Sequence, residues 1–110
     1  MYWEIAQIDV KPGEEAAFEA GVEQAVQLFR RARGCHGMRL HRSVEIPTRY
    51  RLIVHWEAVE DHTVHFRGSP DFQEWRRLVG PYFASTPAVE HTQALPLGFS
   101  HALVNQARAR

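Results

Sequence analysis

A chain of 110 residues, 45% apolar and 24% charged, with thirteen basic side chains balanced by thirteen acidic ones, has the size and composition of one globular domain. That balance excludes a disordered tail and removes the electrostatic footprint of a nucleic-acid or anionic-membrane binder, while the single cysteine, Cys35, excludes an internal disulfide and a cysteine-rich zinc site. No apolar run approaches the ~20 residues of a membrane span and no signal-peptide pattern opens the chain, so a cytoplasmic location is expected.

Tyr2 to Lys11 alternates and is rich in Ile, Val and aromatics, the pattern of a strand, and Pro12-Gly13 stops it. From Glu14 to Arg33 the period becomes helical: Phe18, Gly21, Val22, Ala25, Phe29 and Ala32 share a stripe, with Glu19, Glu23, Gln27 and Arg30 opposite. Acidic residues open this helix, basic ones close it, and Gly34 supplies a left-handed stop. Met38 to Glu45 and Arg51 to Glu57 read as two strands around a loop that holds Pro47. Placing Leu40 opposite Trp56 collects Met38, Leu40, Val44, Leu52, Val54 and Trp56 on one face. Arg39, His41, Ser43, Arg51, Ile53, His55 and Glu57 fall on the other. In this register His41 and His55 have the chance to meet across the sheet, with hydrogen bonding at a dimer interface as the expected role.

Ala58 to Arg67 reads as a short polar helix broken at Gly68. Ser69-Pro70-Asp71 opens another, with serine as cap and proline in the first turn, and Phe72, Trp75 and Val79 form its stripe until Gly80-Pro81. Ala88 to Leu95 is the last expected strand. The order strand, helix, strand, strand, helices, strand is the split βαβ, ferredoxin-like α+β plan, a four-stranded antiparallel sheet with helices on one face. Residues 1–95 are the expected domain, and 96–110 a tail or arm with an apolar patch (Leu97, Phe99, Leu103, Val104). The outer sheet face, carrying Ile53, His55, Trp3 and Ile5, is too mixed for solvent and too polar for a dry core. A second copy packed sheet to sheet is the expected cover, making a homodimer.

The segments IAQIDVKPG, GCHG and LIVHWEAVEDHTVHFRGSPDF resemble the antibiotic biosynthesis monooxygenase superfamily, its quinol monooxygenase-like branch above all. The likeness rests on Trp56 ending the third strand, an acid after it, His65 nine residues on, and then Ser69, Pro70 and Phe72. It spans roughly residues 2–95 and implies a dimeric α+β barrel with a pocket between sheet and helices in each subunit. It also implies oxidation of polyphenols to quinones by oxygen without flavin or metal, so no cofactor is expected. Trp56 and Arg76 stand where the family places a strand tryptophan and a helical arginine. Leu52 and His62 stand where it places an asparagine and a tyrosine. At the positions by which a haem-degrading branch works, this chain has Ala6, His65 and Arg76, none of them the residue that branch uses.

Cofactor-free oxygenation requires a substrate that is itself the electron source, together with a base, a positive group for the oxyanion and an apolar pocket. His65 or His62 is the candidate base, Arg76 the anion stabiliser, and Trp56, Phe72, Leu52 and Ala6 the pocket lining, with a small aromatic and oxygen as partners. Each has a plainer rival: Trp56 as core, Phe72 as helix–sheet packing, Arg76 as a solvated helical arginine, His65 as a packing histidine. His62 and His65, even with Asp61 beside them, fall short of a zinc ligand set, and no metal is expected. Cys35 in the Gly34–Gly37 turn is explained by its small size, and that turn follows a helix, which excludes a phosphate loop. The alternative function is a non-catalytic module that binds an aromatic metabolite or haem on the same fold.

Overall fold

The computed structural model describes residues 1–101. Strand β1 (Tyr2–Asp9) turns Glu4, Ala6 and Ile8 inward and Trp3, Ile5 and Gln7 outward. Helix α1 (Glu15–Arg30) buries Phe18, Gly21, Val22, Ala25, Leu28 and Phe29 against the sheet. Strands β2 (Cys35–Arg42) and β3 (Arg49–Trp56) follow as a hairpin. Next comes a single wide helical turn, Asp61–Phe66, in place of the expected polar helix over 58–67. Its π-type closure is visible where the Arg67 N–H reaches His62 O at 3.0 Å. Ser69 caps helix α2 (Pro70–Val79), its Oγ accepting from the Phe72 N–H. A 3₁₀ turn (Gly80–Tyr82) leads to the short strand β4 (Ala88–Thr92).

The sheet order is β2-β3-β1-β4, antiparallel throughout, with both helices packed on one face: the ferredoxin-like α+β plan expected from periodicity. An aromatic cluster joins the layers. Phe29 of α1 meets Phe66 at 4.9 Å and the edge of Trp75 of α2 at 5.1 Å, and Trp56 of β3 meets Phe66 at 5.7 Å. Such offset and edge-on contacts suit the aromatic quadrupole. No helix among the described residues is long and apolar enough to cross a membrane.

Two sequence expectations are corrected. Leu40 lies opposite Leu52 rather than Trp56, which faces Cys35 beyond an irregularity between Cys35 and Gly37. The shift preserves the inward set Met38, Leu40, Leu52, Val54 and Trp56, because it moves the pairing by an even number of residues. It does eject Val44, which is 87% exposed in the 43–48 loop. That loop is closed locally: the Ile46 N–H donates to Ser43 Oγ at 3.0 Å and Arg42 Nε donates to Pro47 O at 2.7 Å. In this register His41 pairs with Arg51, so His41 and His55 do not meet. His55 instead stacks on Trp3, centroids 4.1 Å apart and rings 7° from parallel. In the tail, Leu97 and Phe99 are exposed; Leu103 and Val104 lie outside the described residues.

The two helices approach closely at Gly21, where a methyl group would sit 2.6 Å from the Leu78 carbonyl oxygen. For Gly21→Ala we expect the forced backbone shift to cost about 1–3 kcal/mol, against the ~1 kcal/mol that alanine gains in helix propensity, for a net loss of up to about 2 kcal/mol. Urea unfolding checks this, and a midpoint at or above that of the parent would show that the helices separate without cost.

Candidate active site

Two helices cannot roof four strands. Ala88, Val89 and Glu90 of β4 remain exposed, and between the β1–β4 side of the sheet and α2 a cavity of about 870 Å³ opens. That lies within the 300–1,000 Å³ typical of small-molecule sites. Its floor is the cross-strand row Leu52–Ala6–Val89, whose central member is small enough to leave depth. Phe72 and Arg76 project from α2, and His62 and Arg67 from the wide turn. The residue types are apolar below and basic at the rim.

The next row of the sheet is Val54–Glu4–His91, and it carries the polar chemistry. Glu4 is only 5% exposed. Its Oε1 accepts the Trp56 indole N–H at 3.0 Å and lies 3.4 Å from His62 Nε2. His62, 3% exposed, stacks on Trp56 with centroids 5.4 Å apart, and its Nδ1 is 2.8 Å from His91 Nε2. Four side chains from three strands and one turn thus form a continuous chain: Trp56, Glu4, His62, His91.

Burial sets the protonation of this chain. It pushes the Glu4 carboxyl up to about 7, against the Trp56 hydrogen bond and the Arg67 charge, which favour the ionised form. Burial likewise holds the His62 imidazole neutral, down to about 3, reinforced by Arg67 and His91, and it lowers His91 in the same sense, Arg67 again adding to it. Burial raises the Cys35 thiol, which keeps it a poor nucleophile.

Of the side chains singled out from sequence, Arg76, His62, Phe72, Leu52 and Ala6 come together around the cavity. Trp56 is fully buried one layer behind, holding Glu4 and His62 in place. His65 is exposed and lies outside the cavity lining. Neighbouring Arg77 is held by Glu74 at 2.6 and 2.7 Å, whereas Arg76 has no ion-pair partner among the described residues. Glu4, Arg67 and His91 were missed. Glu4 left a signal, since it is an acid on the inward phase of an alternating strand, where burial demands a partner or a function. Among the described residues no group of three or more His, Cys, Asp or Glu side chains is arranged to hold a metal ion.

A four-stranded antiparallel sheet with helices on one face defines a ferredoxin-like α+β protein, and a cavity of small-molecule size lies under α2. Residues 1–78 match the antibiotic biosynthesis monooxygenase family, and the chain belongs to that family. A Bordetella bronchiseptica protein of known structure assigned to the same family is 62% identical, the match covering 86% of this chain and 96% of that one at a TM-score of 0.85. The uncharacterized protein YczJ of Bacillus subtilis is 38% identical over 93 residues, 84% of this chain and 98% of its own. A Nitrosomonas europaea structure, 22% identical with a TM-score of 0.74 over 86% of this chain and 99% of its own, shares the fold.

Proposed function

We propose that the cavity is the active site of a cofactor-independent monooxygenase that oxidises a quinol-like or polycyclic aromatic substrate with molecular oxygen. The observation that carries this reading is the convergence of Arg76, His62 and Glu4 on one apolar-floored cavity. The aromatic rings lie over Ala6 and Leu52 and against Phe72. Loss of a hydroxyl proton leaves an electron-rich anion, which the Arg76 guanidinium stabilises without quenching its reducing power. The substrate supplies all the electrons: one oxygen atom of O2 enters the ring system, as a carbonyl on an anthrone or as a hydroxyl on a hydroquinone that leaves as the hydroxyquinone, and the other leaves as water. Oxygen uptake with a panel of hydroquinones, naphthohydroquinones and anthrones tests the reading, and no uptake above the uncatalysed rate with any of them overturns it. The haem-binding alternative is less well supported, because both ring nitrogens of His62 already face Glu4 and His91. The visible spectrum of the protein mixed with hemin separates the two.

The reading includes a homodimer built through the outer sheet face. Trp3, Ile5, Ile53 and His55 are only half-buried there, and Arg51 Nη1 is a buried nitrogen without a hydrogen-bond partner among the described residues. A second sheet would cover these four half-buried side chains. Ile53→Glu is expected to convert a dimer into a monomer by light scattering at micromolar concentration, and an unchanged mass would place the interface elsewhere.

A further inference from the structure

We infer that Glu4 takes the proton released by the substrate, and that His62 and His91 form the path by which that proton leaves the cavity for the edge of the sheet. The inference rests on the cavity being the reaction site proposed above. Its basis is geometric. Among the described residues, Glu4 is the one carboxyl group in the cavity lining. Its Oε1 accepts from Trp56 and lies 3.4 Å from His62 Nε2, while Oε2 accepts no hydrogen bond from the described residues. A side chain this buried has an oxygen to spare where a ligand hydroxyl would sit.

The path beyond Glu4 is equally specific. The separations of 3.4 Å (Glu4 Oε1 to His62 Nε2) and 2.8 Å (His62 Nδ1 to His91 Nε2) join both imidazole nitrogens of His62 to different partners. With the carboxyl protonated on Oε1, the tautomers follow: Nε2 of His62 accepts, and Nδ1–H donates to Nε2 of His91. As the substrate O–H gives its proton to Oε2, the 3.4 Å gap between Oε1 and Nε2 closes to hydrogen-bond distance and Oε1 gives one to Nε2, Nδ1 gives one to His91 Nε2, and the half-buried His91 releases its Nδ1 proton to water. Only O–H and N–H bonds change, and the net result is one substrate proton in solvent.

The groups facing Glu4 from each packed element are consistent with this role. Trp56 from β3 donates to it, His62 and Arg67 come from the wide turn, His91 from β4, and the Cys35 thiol from β2 feels its charge. Burial keeps the carboxyl near neutrality, the range in which a general base works best at physiological pH. His62 alone would be a weak base, since burial holds it neutral far into acid. As a shuttle between two neighbours it needs only to exchange one proton for another.

The test has one arm that requires no turnover. Ring ¹⁵N shifts of the histidines and the indole N–H shift of Trp56 are followed from pH 5 to 9 in the parent, Glu4→Gln and His62→Phe. In the parent, Trp56 and His91 should report a common midpoint near 7, the Glu4 value. Glu4→Gln should abolish that step at both, and His62→Phe should abolish it at His91 while Trp56 retains a Glu4 titration. A His91 curve unchanged in Glu4→Gln overturns the path. The second arm uses whichever hydroquinone of the panel is oxidised. There Glu4→Gln should lose about 10²–10⁴-fold in kcat, the usual worth of a positioned base. His91→Ala, outside the cavity, should lose at least ~10-fold and recover with added imidazole, as expected when a shuttle rather than a binding contact is removed. Full activity in both variants overturns the inference and leaves the proposed reaction standing. Intact coupled titrations with no oxidation of any panel member overturn the proposed reaction, and with it the role of Glu4 as the substrate's base, and leave only the Glu4–His62–His91 proton path standing.

Discussion

Arg76→Ala should lower kcat/KM for an oxidised hydroquinone by about 10²–10³-fold, the cost of removing one preorganised donor from a developing oxyanion. Three features make the loss large. Arg76 lines the cavity on the same helix as Phe72, so the cation stands beside the ring wall rather than across open solvent. Arg77 cannot replace it, because Glu74 holds that guanidinium in a bidentate pair. Arg67 rises from the wide turn on the His62 side of the cavity, where it bears on Glu4 and the two histidines instead. Arg76→Lys should recover only part of the activity, since an ammonium keeps the charge but not the planar fork. The fold should not suffer: Arg76 is exposed, and alanine is at least as good a helix former. Steady-state oxygen uptake beside a thermal melt separates the two effects. Parent-like kcat/KM in Arg76→Ala would remove this residue from the mechanism.

The second large effect is on stability against pH. The Glu4 value of about 7 lies above its ordinary 4.5, so the buried acid form contributes fully below pH 4.5 and that contribution is lost as pH rises through 7. His62, at about 3 against 6.5, contributes above pH 6.5 and loses that contribution as pH falls through 3. Between pH 4.5 and 6.5 the slopes are opposite and largely cancel, each bounded by about 1.4 kcal/mol per pH unit. Glu4→Gln should unmask the histidine, making the variant progressively less stable than the parent as pH drops through that range, by roughly 2–3 kcal/mol in all. His62→Gln should do the opposite and lose ground as pH rises toward 7. Urea midpoints at half-unit pH intervals read this directly. The half-buried pair Asp9–Arg49 and the more exposed pair Asp71–Arg31, whose carboxyls are held below the usual range mainly by the hydrogen bonds from their arginines, add an acid sensitivity common to all three proteins. Parallel curves for parent and variants would mean that burial does not set these two protonation states.

Much of the architecture is legible in the chain because periodicity is a local property. The inward phase of β1 and β3 and the stripe of α1 follow from residue type at spacing two or 3.6, and Ser69-Pro70 announces the start of α2 through its cap. Leu28 was missed from the α1 stripe because it borders Phe29 at the edge of the apolar arc. The hairpin register was not legible, since an even shift leaves both faces unchanged. What selects it is the loop closure through Ser43 and Arg42 and the burial of Tyr50, whose hydroxyl donates to Glu19 on α1. Pushed up to about 12 by burial and by that carboxylate, the tyrosine stays a donor. The turn over 61–66 defeated the helical reading because it is one wide turn, placed by Asp61, whose carboxylate accepts from the Ala58 N–H and lies against Gly34.

The site divides in the same way. Arg76, His62, Phe72, Leu52 and Ala6 were within reach of the sequence through the motif and its order, and so was the family to which the chain belongs. The linkage of Glu4 to His62 and His91 was not, since it joins three elements separated by 58 and 29 residues, and only β1–β4 pairing and the fold of the wide turn bring them together. Residue spacing states which face a side chain takes. Which groups meet there, and the protonation that burial imposes once they have met, depend on distances between strands that no local pattern encodes.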